Sequence, residues 1–263
     1  MQPALSPDFS TVTEQPEQGA TRLQLAMLST RYAWASRHAA GKDVAEIACG
    51  PGLGLGWIAR RARSVEAGDL NDANCRGAIE TYAGRENIRV RRMDAHHLPF
   101  PEASFDLLLL FEAIYYLSDA EAFFREARRV LRPGGTLLIS TVNCEWPGFN
   151  PSPFHTLYFT AVELKGALAR SGFAADLKAG FAERRGIGDW LVGKVRRAAV
   201  AARMIPSTMA GKAFLKRLFY GSLEPIPREL EPGRYPGSQF ISIAPEMDLS
   251  RYRTLYIEAR KIP

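Results

Sequence analysis

The sequence predicts an α/β protein built on a doubly wound, mostly parallel sheet. Two observations support this prediction: short apolar runs alternate with segments of helical period between residues 43 and 142, and a glycine-rich turn follows the first run. Such alternation is typical of a parallel sheet with helices on both faces and right-handed crossovers. The predicted strands span residues 44–49, 64–69, 88–94, 105–111 and 136–142, and the predicted helices span residues 53–63, 72–83 and 119–131.

Further elements are predicted on either side of this region. A helix over residues 21–40 follows a polar arm, and a loop rich in Pro and aromatic residues follows residue 142. A helix over 160–171 with Thr160 as its N-cap, a strand near 173–181 and a last strand over 252–259 complete the pattern. The predicted division is an N-terminal arm and cover helix (1–42), a core (43–182), a basic helical insertion (183–250) and a final core strand (251–263).

Composition places the chain among globular intracellular proteins. It has 263 residues, 46% of them hydrophobic, and no apolar run long enough to span a bilayer, since Glu112 interrupts the strongest one. The first residues lack the features of a secretory signal, so we expect a cytoplasmic protein. The three cysteines and four histidines show no metal-ligand spacing, which favours free thiols, a reducing compartment and no metal site.

The net charge of +6 is concentrated in one segment. Residues 184–217 contain nine basic residues and one acid, Asp189, and a helix is predicted over 189–204. Three interpretations stay open: a solvated lid helix, recognition of an acidic substrate or an anionic membrane surface, and RNA binding. RNA is the least favoured, because no recognition motif is present and aromatic residues do not alternate with the basic ones.

The segment VAEIACGPGLG at residues 44–54 is the first candidate site. Gly50 and Gly52 can adopt positive φ and let the backbone approach a ligand, while the following helix offers free amides and a positive dipole end. A plain strand-to-helix turn is the alternative interpretation. A dinucleotide motif starting at Gly54 is disfavoured, because its glycines would lie inside the helix, away from a pyrophosphate.

Two acidic residues strengthen the case for a nucleoside ligand. Asp69 ends the second predicted strand, where its carboxylate can accept the hydroxyls of an adenosine ribose. Asp94 ends the third strand and can accept the adenine amino group. Each acid alone is also explained as a helix cap or a surface residue. Three adjacent strand ends with suitable chemistry favour the ligand-binding interpretation.

Four segments together resemble the motif series of class I S-adenosylmethionine-dependent methyltransferases. They are VAEIACGPGLG, GDLN, MDAHHLPFPEASFDLLLLFEAIYYL and EARRVLRPGGTLLIST, within residues 43–142. The resemblance implies a Rossmann-like, seven-stranded sheet with an antiparallel last strand. A weaker resemblance links the chain to a bacterial subgroup associated with glycan or secondary-metabolite pathways, through features such as Arg31-Tyr32.

The resemblance also implies roles for individual residues. It places the methionine end of the cofactor at Glu46, Gly50 and Gly52, the ribose at Asp69, the adenine at Leu70, Asp94 and Ala95, the reactive side at Phe111, and a covering residue at Tyr32 or Arg37.

Methyl transfer is an in-line displacement that needs a base only when the acceptor is a hydroxyl or a protonated amine. His155 is the first candidate base because imidazole titrates near neutral pH, although it can equally line the aromatic loop. Glu112 can orient the acceptor or support the cofactor loop. Tyr115 is the third candidate catalytic residue, with ordinary packing as its alternative.

The resulting hypothesis is a methyltransferase that uses S-adenosylmethionine, releases S-adenosylhomocysteine and methylates an oxygen of a small molecule or glycan intermediate. An acidic or lipid-linked acceptor and a peripheral membrane contact are compatible with the basic segment. An RNA-modifying methyltransferase and a non-catalytic S-adenosylmethionine-binding protein are the alternatives. The sequence leaves the oligomeric state open.

Overall fold

The computed structural model describes residues 9–183, 223–244 and 246–262. The predicted helix over 189–204 and the basic segment 184–217 lie outside these residues. The helices are α1 Arg22–His38, α2 Leu55–Ala59, α3 Asp72–Thr81, α4 Ala120–Val130 and α5 Ala161–Arg170. The strands are β1 Gly19–Ala20, β2 Asp43–Ile47, β3 Ser64–Asp69, β4 Ile88–Arg92, β5 Phe105–Phe111, β6 Leu131–Val142, β7 Phe173–Ala182, β8 Glu224–Pro225, β9 Ile241–Ser242 and β10 Tyr252–Lys261.

The main sheet confirms the doubly wound α/β fold. Its strand order is β4-β3-β2-β5-β6-β10-β7-β9. Strands β2 to β6 pair in parallel, whereas β10 is antiparallel to both of its neighbours, β6 and β7. The seven expected strands are therefore present, and the two-residue β9 is added beside β7 at the edge. The strand order reverses between β2 and β5, which is where an open α/β sheet binds its ligand.

Both faces of the sheet are buried. In β5, Leu107 and Leu109 belong to the apolar cluster that includes residues of α1, α2 and α3. Leu108 and Leu110 belong to the cluster on the other face, together with residues of α4 and α5. All four side chains are fully buried, as expected for a central parallel strand.

Several element boundaries differ from the prediction. Helix α2 starts at Leu55 because the preceding turn, with Gly52 at φ 77°, continues to the N-cap Gly54. Helix α4 ends at Val130, and β6 starts at once with Leu131 paired to Phe105, before the pairing resumes after a register shift. The N-cap prediction for α5 is confirmed: Thr160 forms a capping box with Glu163.

The described end of the predicted insertion packs on the core. Strand β8 pairs with β1, and Ile226 and Leu230 are buried in the cluster that contains α1 and α2. The backbone N–H of Leu230 donates to the carbonyl of Leu53 at 2.8 Å. This segment therefore supports the outer side of the glycine turn. Among the described residues, no helix is long and apolar enough to cross a bilayer.

Ion pairs and hydrogen bonds to the Asp43 side chain hold the start of β2. The Asp43 carboxylate accepts from Nε of Arg63 and Oγ of Ser64, each at 2.8 Å, and from Nη2 of Arg132 at 3.0 Å. Arg132 also pairs with Asp106 at 2.8 Å. Hydrogen bonds from Arg63, Ser64 and Arg132 outweigh the cost of burial and lower the pKa of Asp43 well below its usual range.

We expect Asp43→Asn to lower the free energy of unfolding by about 1–2 kcal/mol at neutral pH, since both arginines are partly exposed. Because the folded-state pKa is depressed, the wild-type advantage exists above the unfolded pKa and should shrink between about pH 5 and pH 2. Urea unfolding of the wild-type protein and the variant across this pH range measures the difference in their free energies of unfolding. Asp176→Asn, at an exposed strand position, is the control, and an unfolding difference that does not change with pH would contradict the assignment.

Candidate active site

A cavity of about 680 Å³ lies at the carboxyl ends of β2, β3 and β5, beside the turn after β4. Helix α1 and the arm at residues 9–14 cover it. Eight of the nine predicted cofactor-binding residues line this cavity, and Gly52 does not. They are Tyr32, Glu46, Gly50, Asp69, Leu70, Asp94, Ala95 and Phe111. The candidate catalytic residues Glu112 and Tyr115 line it too, whereas His155 does not.

The two glycines of the turn have different roles. Gly50 has φ 57°, lines the cavity, and donates its N–H to Oδ2 of Asp69 at 2.9 Å. The carbonyl of Gly52 instead accepts from the Tyr82 hydroxyl at 2.7 Å. A β-carbon on Gly52 would lie 3.0 Å from Cβ of Ala78. Gly52 therefore shapes the turn from behind, which corrects its assignment to the methionine end of the cofactor.

Asp69 holds the glycine turn as well as facing the cavity. Its Oδ1 accepts from the backbone N–H of Asn71 at 2.8 Å and from Nδ2 of Asn74 at 3.2 Å. With the bond from Gly50, three donors use a carboxylate that has about four acceptor sites. Asp69 therefore has room for about one further donor, which fits one ribose hydroxyl.

Glu46 lies at the methionine end of the predicted cofactor site. The side chain is 1% exposed, and its Oε1 accepts from the Tyr32 hydroxyl at 2.7 Å. Within the described part of the chain, Oε2 is buried without a hydrogen-bond partner. Burial raises the pKa of Glu46 to about 7, although Tyr32 and Arg31 act in the opposite direction. A buried oxygen without a partner in a ligand cavity matches a cationic ligand group.

Arg31 lies beside this carboxylate and was not assigned a role from the sequence. It is buried, lines the cavity, and forms an ion pair with Glu14 of the arm. Burial alone would lower the pKa of Arg31, but Glu14, Tyr32 and Glu112 raise it above its usual range. Its Nε is buried without a partner among the described residues. Arg31 and Glu46 thus offer a cation and an anion side by side, which suits an amino-acid zwitterion.

The Tyr32 ring packs closely against the glycine turn, a contact that the sequence did not predict. Its ring lies edge-on to Phe111 with the centroids 5.5 Å apart. A β-carbon on Gly54 would overlap the Tyr32 ring. The third glycine of the turn is therefore required by packing against α1, which could have been suspected from its place at the start of α2.

Asp94 lies in the turn after β4. Its Oδ1 accepts from the backbone N–H of His96 at 2.9 Å and bonds Nδ1 of His96 at 2.7 Å. Burial raises the pKa of Asp94, but the hydrogen bonds from His96 outweigh it, so that the pKa lies below its usual value. The carboxylate is therefore ionised at neutral pH and can accept from an adenine amino group.

Glu112 follows β5 directly and adopts a left-handed conformation with φ 51°. Such strain in a non-glycine residue is concentrated at functional sites. Its Oε1 accepts from Oγ of Ser140 at 3.3 Å, and its Oε2 accepts from the Tyr115 hydroxyl at 3.4 Å. Burial raises the pKa of Glu112, and Arg31 partly opposes this. The Glu112 carboxylate therefore binds a proton more tightly than an ordinary glutamate does, which suits a general base.

The structure does not bring His155 to the cavity, which corrects its place as the first candidate base. The side chain is exposed, with Nδ1 bonded to the carbonyl of Ser152 at 2.7 Å and the ring tilted on Tyr158. Its neighbours Phe154, at φ 67°, and Thr156 line the cavity instead. The loop places Phe154 at the border of the cavity, where it stays 46% exposed, and leaves His155 outside.

Comparison with known proteins agrees with this geometry. Residues 45–139 match the family described as a methyltransferase domain. This region is a class I methyltransferase domain. A probable S-adenosylmethionine-dependent methyltransferase of Mycolicibacterium smegmatis is 36% identical over 149 residues, which are 55% of this chain and 57% of that protein. The chain thus spans about half the length of the curated relatives it matches.

Solved structures share the fold of this methyltransferase domain. The [4+2]-cyclase SpnF has a TM-score of 0.60 at 18% identity, covering 95% of this chain and 85% of its own. A possible histamine N-methyltransferase from Thermotoga maritima has a TM-score of 0.57 at 15% identity, covering 91% of each chain. At these identities only the fold is shared, and the cyclase illustrates that a fold does not determine a reaction.

S-adenosylmethionine is the cofactor of this methyltransferase domain, and the residues present fit its chemistry. The unpartnered oxygen of Glu46 suits its ammonium group, and the unpartnered Nε of Arg31 suits its carboxylate. Asp69 and Asp94 suit the ribose and the adenine. The side chains that line the cavity include five carboxylates and one arginine among the described residues, which favours a ligand that also bears a sulfonium.

We expect the binding of S-adenosylhomocysteine to release a proton below neutral pH. Because the free Glu46 has a pKa of about 7, it is largely protonated at pH 6, and an adjacent ammonium lowers that pKa. Affinity should therefore rise between about pH 5 and pH 8. Titration calorimetry at pH 6 in buffers of different ionisation enthalpy counts the protons.

Glu46→Gln should abolish this proton release, while Asp176→Asn should retain it. Equal binding heats in all buffers for the wild-type protein would contradict the assignment of the ammonium to Glu46.

The raised pKa of Glu46 also implies that the free protein loses stability as the pH rises through 7, since the folded state holds this proton more tightly than the unfolded state.

We expect Asp94→Ala to weaken the binding of S-adenosylhomocysteine by about 1–3 kcal/mol, the usual cost of losing one polar partner of a ligand. The comparison ligand is the same compound with the adenine amino group replaced by hydrogen. This ligand should bind both proteins with similar affinity. An equal loss for both ligands would show that Asp94 acts only on the turn.

Proposed function

We propose that the protein transfers the methyl group of S-adenosylmethionine to an oxygen of a small molecule or glycan intermediate and releases S-adenosylhomocysteine. The methyltransferase domain and the paired Glu46 and Arg31 support the use of this cofactor. The observation that carries the proposal of oxygen methylation is Glu112, a buried carboxylate at the end of β5 that lines the same cavity. Among the other candidate catalytic residues, His155 lies outside this cavity, and Tyr115 lines it but is a phenol whose pKa is raised well above its usual value by burial, so Glu112 takes the role of base.

The chemistry supplied by the cofactor is a methyl group on a sulfonium, whose leaving group is a neutral thioether. The protein's main tasks are to align the acceptor and to exclude water. Tyr32 of α1 and the arm at residues 9–14 cover the site. Glu112 takes up the proton of the acceptor hydroxyl as the carbon–oxygen bond forms. Ser140 and Tyr115 hold its two oxygens in place for this step.

A base of this kind favours an oxygen acceptor. A hydroxyl loses its proton as it is methylated, so that a positioned carboxylate lowers the barrier. A neutral amine can attack first and lose its proton later to water. Glu112 would then bring no comparable advantage.

We expect Glu112→Gln to lower kcat by about 10²–10⁴-fold, the usual contribution of a positioned general base. Binding of S-adenosylhomocysteine should change little. His155→Gln, the matched control, should retain turnover because that side chain lies outside the cavity. Since burial raises the pKa of Glu112, the wild-type rate should rise with pH as this group loses its proton, and the variant should lack that limb of the profile.

The assay is transfer of a labelled methyl group from S-adenosylmethionine into extract of the source organism, followed by separation into lipid, small-molecule, glycan and nucleic-acid fractions. Label in a small-molecule, lipid or glycan fraction supports the proposal. Nuclease-sensitive label would favour an RNA-modifying enzyme. Cofactor binding without transfer into any fraction would favour a binding protein and reject the proposed activity.

A further inference from the structure

Beyond the cofactor residues, three aromatic side chains from separate parts of the chain lie together at one side of the cavity. Phe9 belongs to the arm, Tyr116 follows β5, and Phe154 lies in the loop before α5. The ring centroid of Phe9 lies 5.3 Å from that of Tyr116 and 6.0 Å from that of Phe154. All three residues line the cavity, and they are called the aromatic wall below.

The aromatic wall is continuous with the candidate base. The rings of Tyr116 and Tyr115 are 4.6 Å apart between centroids, and the Tyr115 hydroxyl bonds Oε2 of Glu112 at 3.4 Å. A flat ring placed against the wall can therefore present a substituent toward the carboxylate. Aromatic side chains favour such a ring through offset stacking and edge-to-face contacts.

The charge of the described residues that line the cavity argues against an anionic acceptor. Among the described residues that line it, Glu14, Glu46, Asp69, Asp94 and Glu112 are acidic, and Arg31 is the one Lys or Arg side chain. Arg31 is already paired with Glu14. A phosphate or carboxylate on the acceptor would meet an excess of like charge without a free cation among these residues.

We propose that the acceptor is an uncharged phenol, whose ring lies against the aromatic wall and whose hydroxyl faces Glu112. This inference rests on the proposed methyl transfer to oxygen and narrows its substrate class. In the reaction the phenol oxygen forms a bond to the methyl carbon, the carbon–sulfur bond breaks, and the neutral thioether leaves. The phenolic proton passes to Glu112.

The acidity of phenols supports this choice over a sugar hydroxyl. A phenol has a pKa of about 10, so that a carboxylate can assist its deprotonation in the transition state more readily than that of an alkyl alcohol. A glycan would also need several polar partners, whereas Phe9 and Phe154 offer it none from their side chains.

Three matched probes test the inference on protein loaded with S-adenosylhomocysteine. Methyl 4-hydroxybenzoate is a neutral phenol, 4-hydroxybenzoate adds a negative charge, and methyl 4-hydroxycyclohexanecarboxylate replaces the aromatic ring with a saturated one. Titration calorimetry gives their affinities without requiring turnover. We expect the neutral phenol to bind at least about tenfold more tightly than either of the others.

Variants locate the probe. Phe9→Leu and Phe154→Leu keep an apolar side chain but remove a ring, and each should weaken binding of the neutral phenol by about three- to tenfold. Their affinity for S-adenosylhomocysteine should stay unchanged. Phe100→Leu is the control, because the Phe100 ring makes an edge-to-face contact with Phe105 outside the cavity, and it should leave both affinities unchanged.

Equal or tighter binding of the saturated or anionic probe, or no binding by any probe, would overturn the phenol assignment. Labelled methyl groups recovered in a glycan fraction would overturn it too, while leaving methyl transfer itself intact. Failure of the proposed function has a different signature, since cofactor then binds without methyl transfer to any extract fraction. The two failures are therefore distinguishable.

Discussion

The active site depends on the way the Asp69 carboxylate joins separate parts of the chain. It fixes the glycine turn through the N–H of Gly50 and the start of α3 through Asn71 and Asn74. Asn74 in turn accepts from Nε2 of Gln15 at 2.9 Å, which connects the arm to the same group. One side chain at the end of β3 therefore sets the positions of the turn, a helix and the cover. A carboxylate with this many donors costs little to bury, because its acceptor capacity is nearly filled.

Two other carboxylates of the cavity, Glu46 and Glu112, are arranged in the opposite way. Glu46 and Glu112 are buried with few donors, and burial raises the pKa of each. A buried charge without full compensation destabilises a fold, and such groups concentrate where a ligand completes them. The positive charge of Arg31 partly opposes this rise in both pKa values. The ion-pair partner of Arg31, Glu14, belongs to the arm. Without a ligand, these buried carboxyl groups therefore destabilise the fold. A ligand that bears a positive charge removes part of this destabilisation.

The sequence predicted most of the fold, and eight of the nine residues that it assigned to the cofactor line one cavity, because both follow from local rules. Asp69 and Asp94 are at or just beyond strand ends, and parallel strands bring their carboxyl ends to one edge of the sheet. Phe9, Glu14 and Arg31 could not be found in this way. Their contacts join segments distant in sequence, and the arm has no periodic pattern that assigns a face.

The same limit explains the individual corrections. Adjacent loop residues point in different directions, so that spacing alone could not decide whether Phe154 or His155 enters the cavity. Gly52 has the residue type and conformation expected of a ligand-binding turn, yet its β-position faces Ala78 and Leu55. Which side of a turn meets the ligand depends on the helix packed behind it, and that packing becomes visible only in three dimensions.

The proposed reaction makes use of the electrostatics of this cavity. A bound sulfonium would be enclosed together with the Glu112 anion before transfer; after transfer Glu112 would hold the proton of the acceptor beside a neutral thioether. The total charge is unchanged, but two buried charges have been removed. Burial opposes charged groups more strongly than neutral ones, so enclosure by Tyr32 and the arm favours the neutral products over the charged reactants. Exclusion of water and the raised pKa of Glu112 therefore act in the same direction, toward transfer.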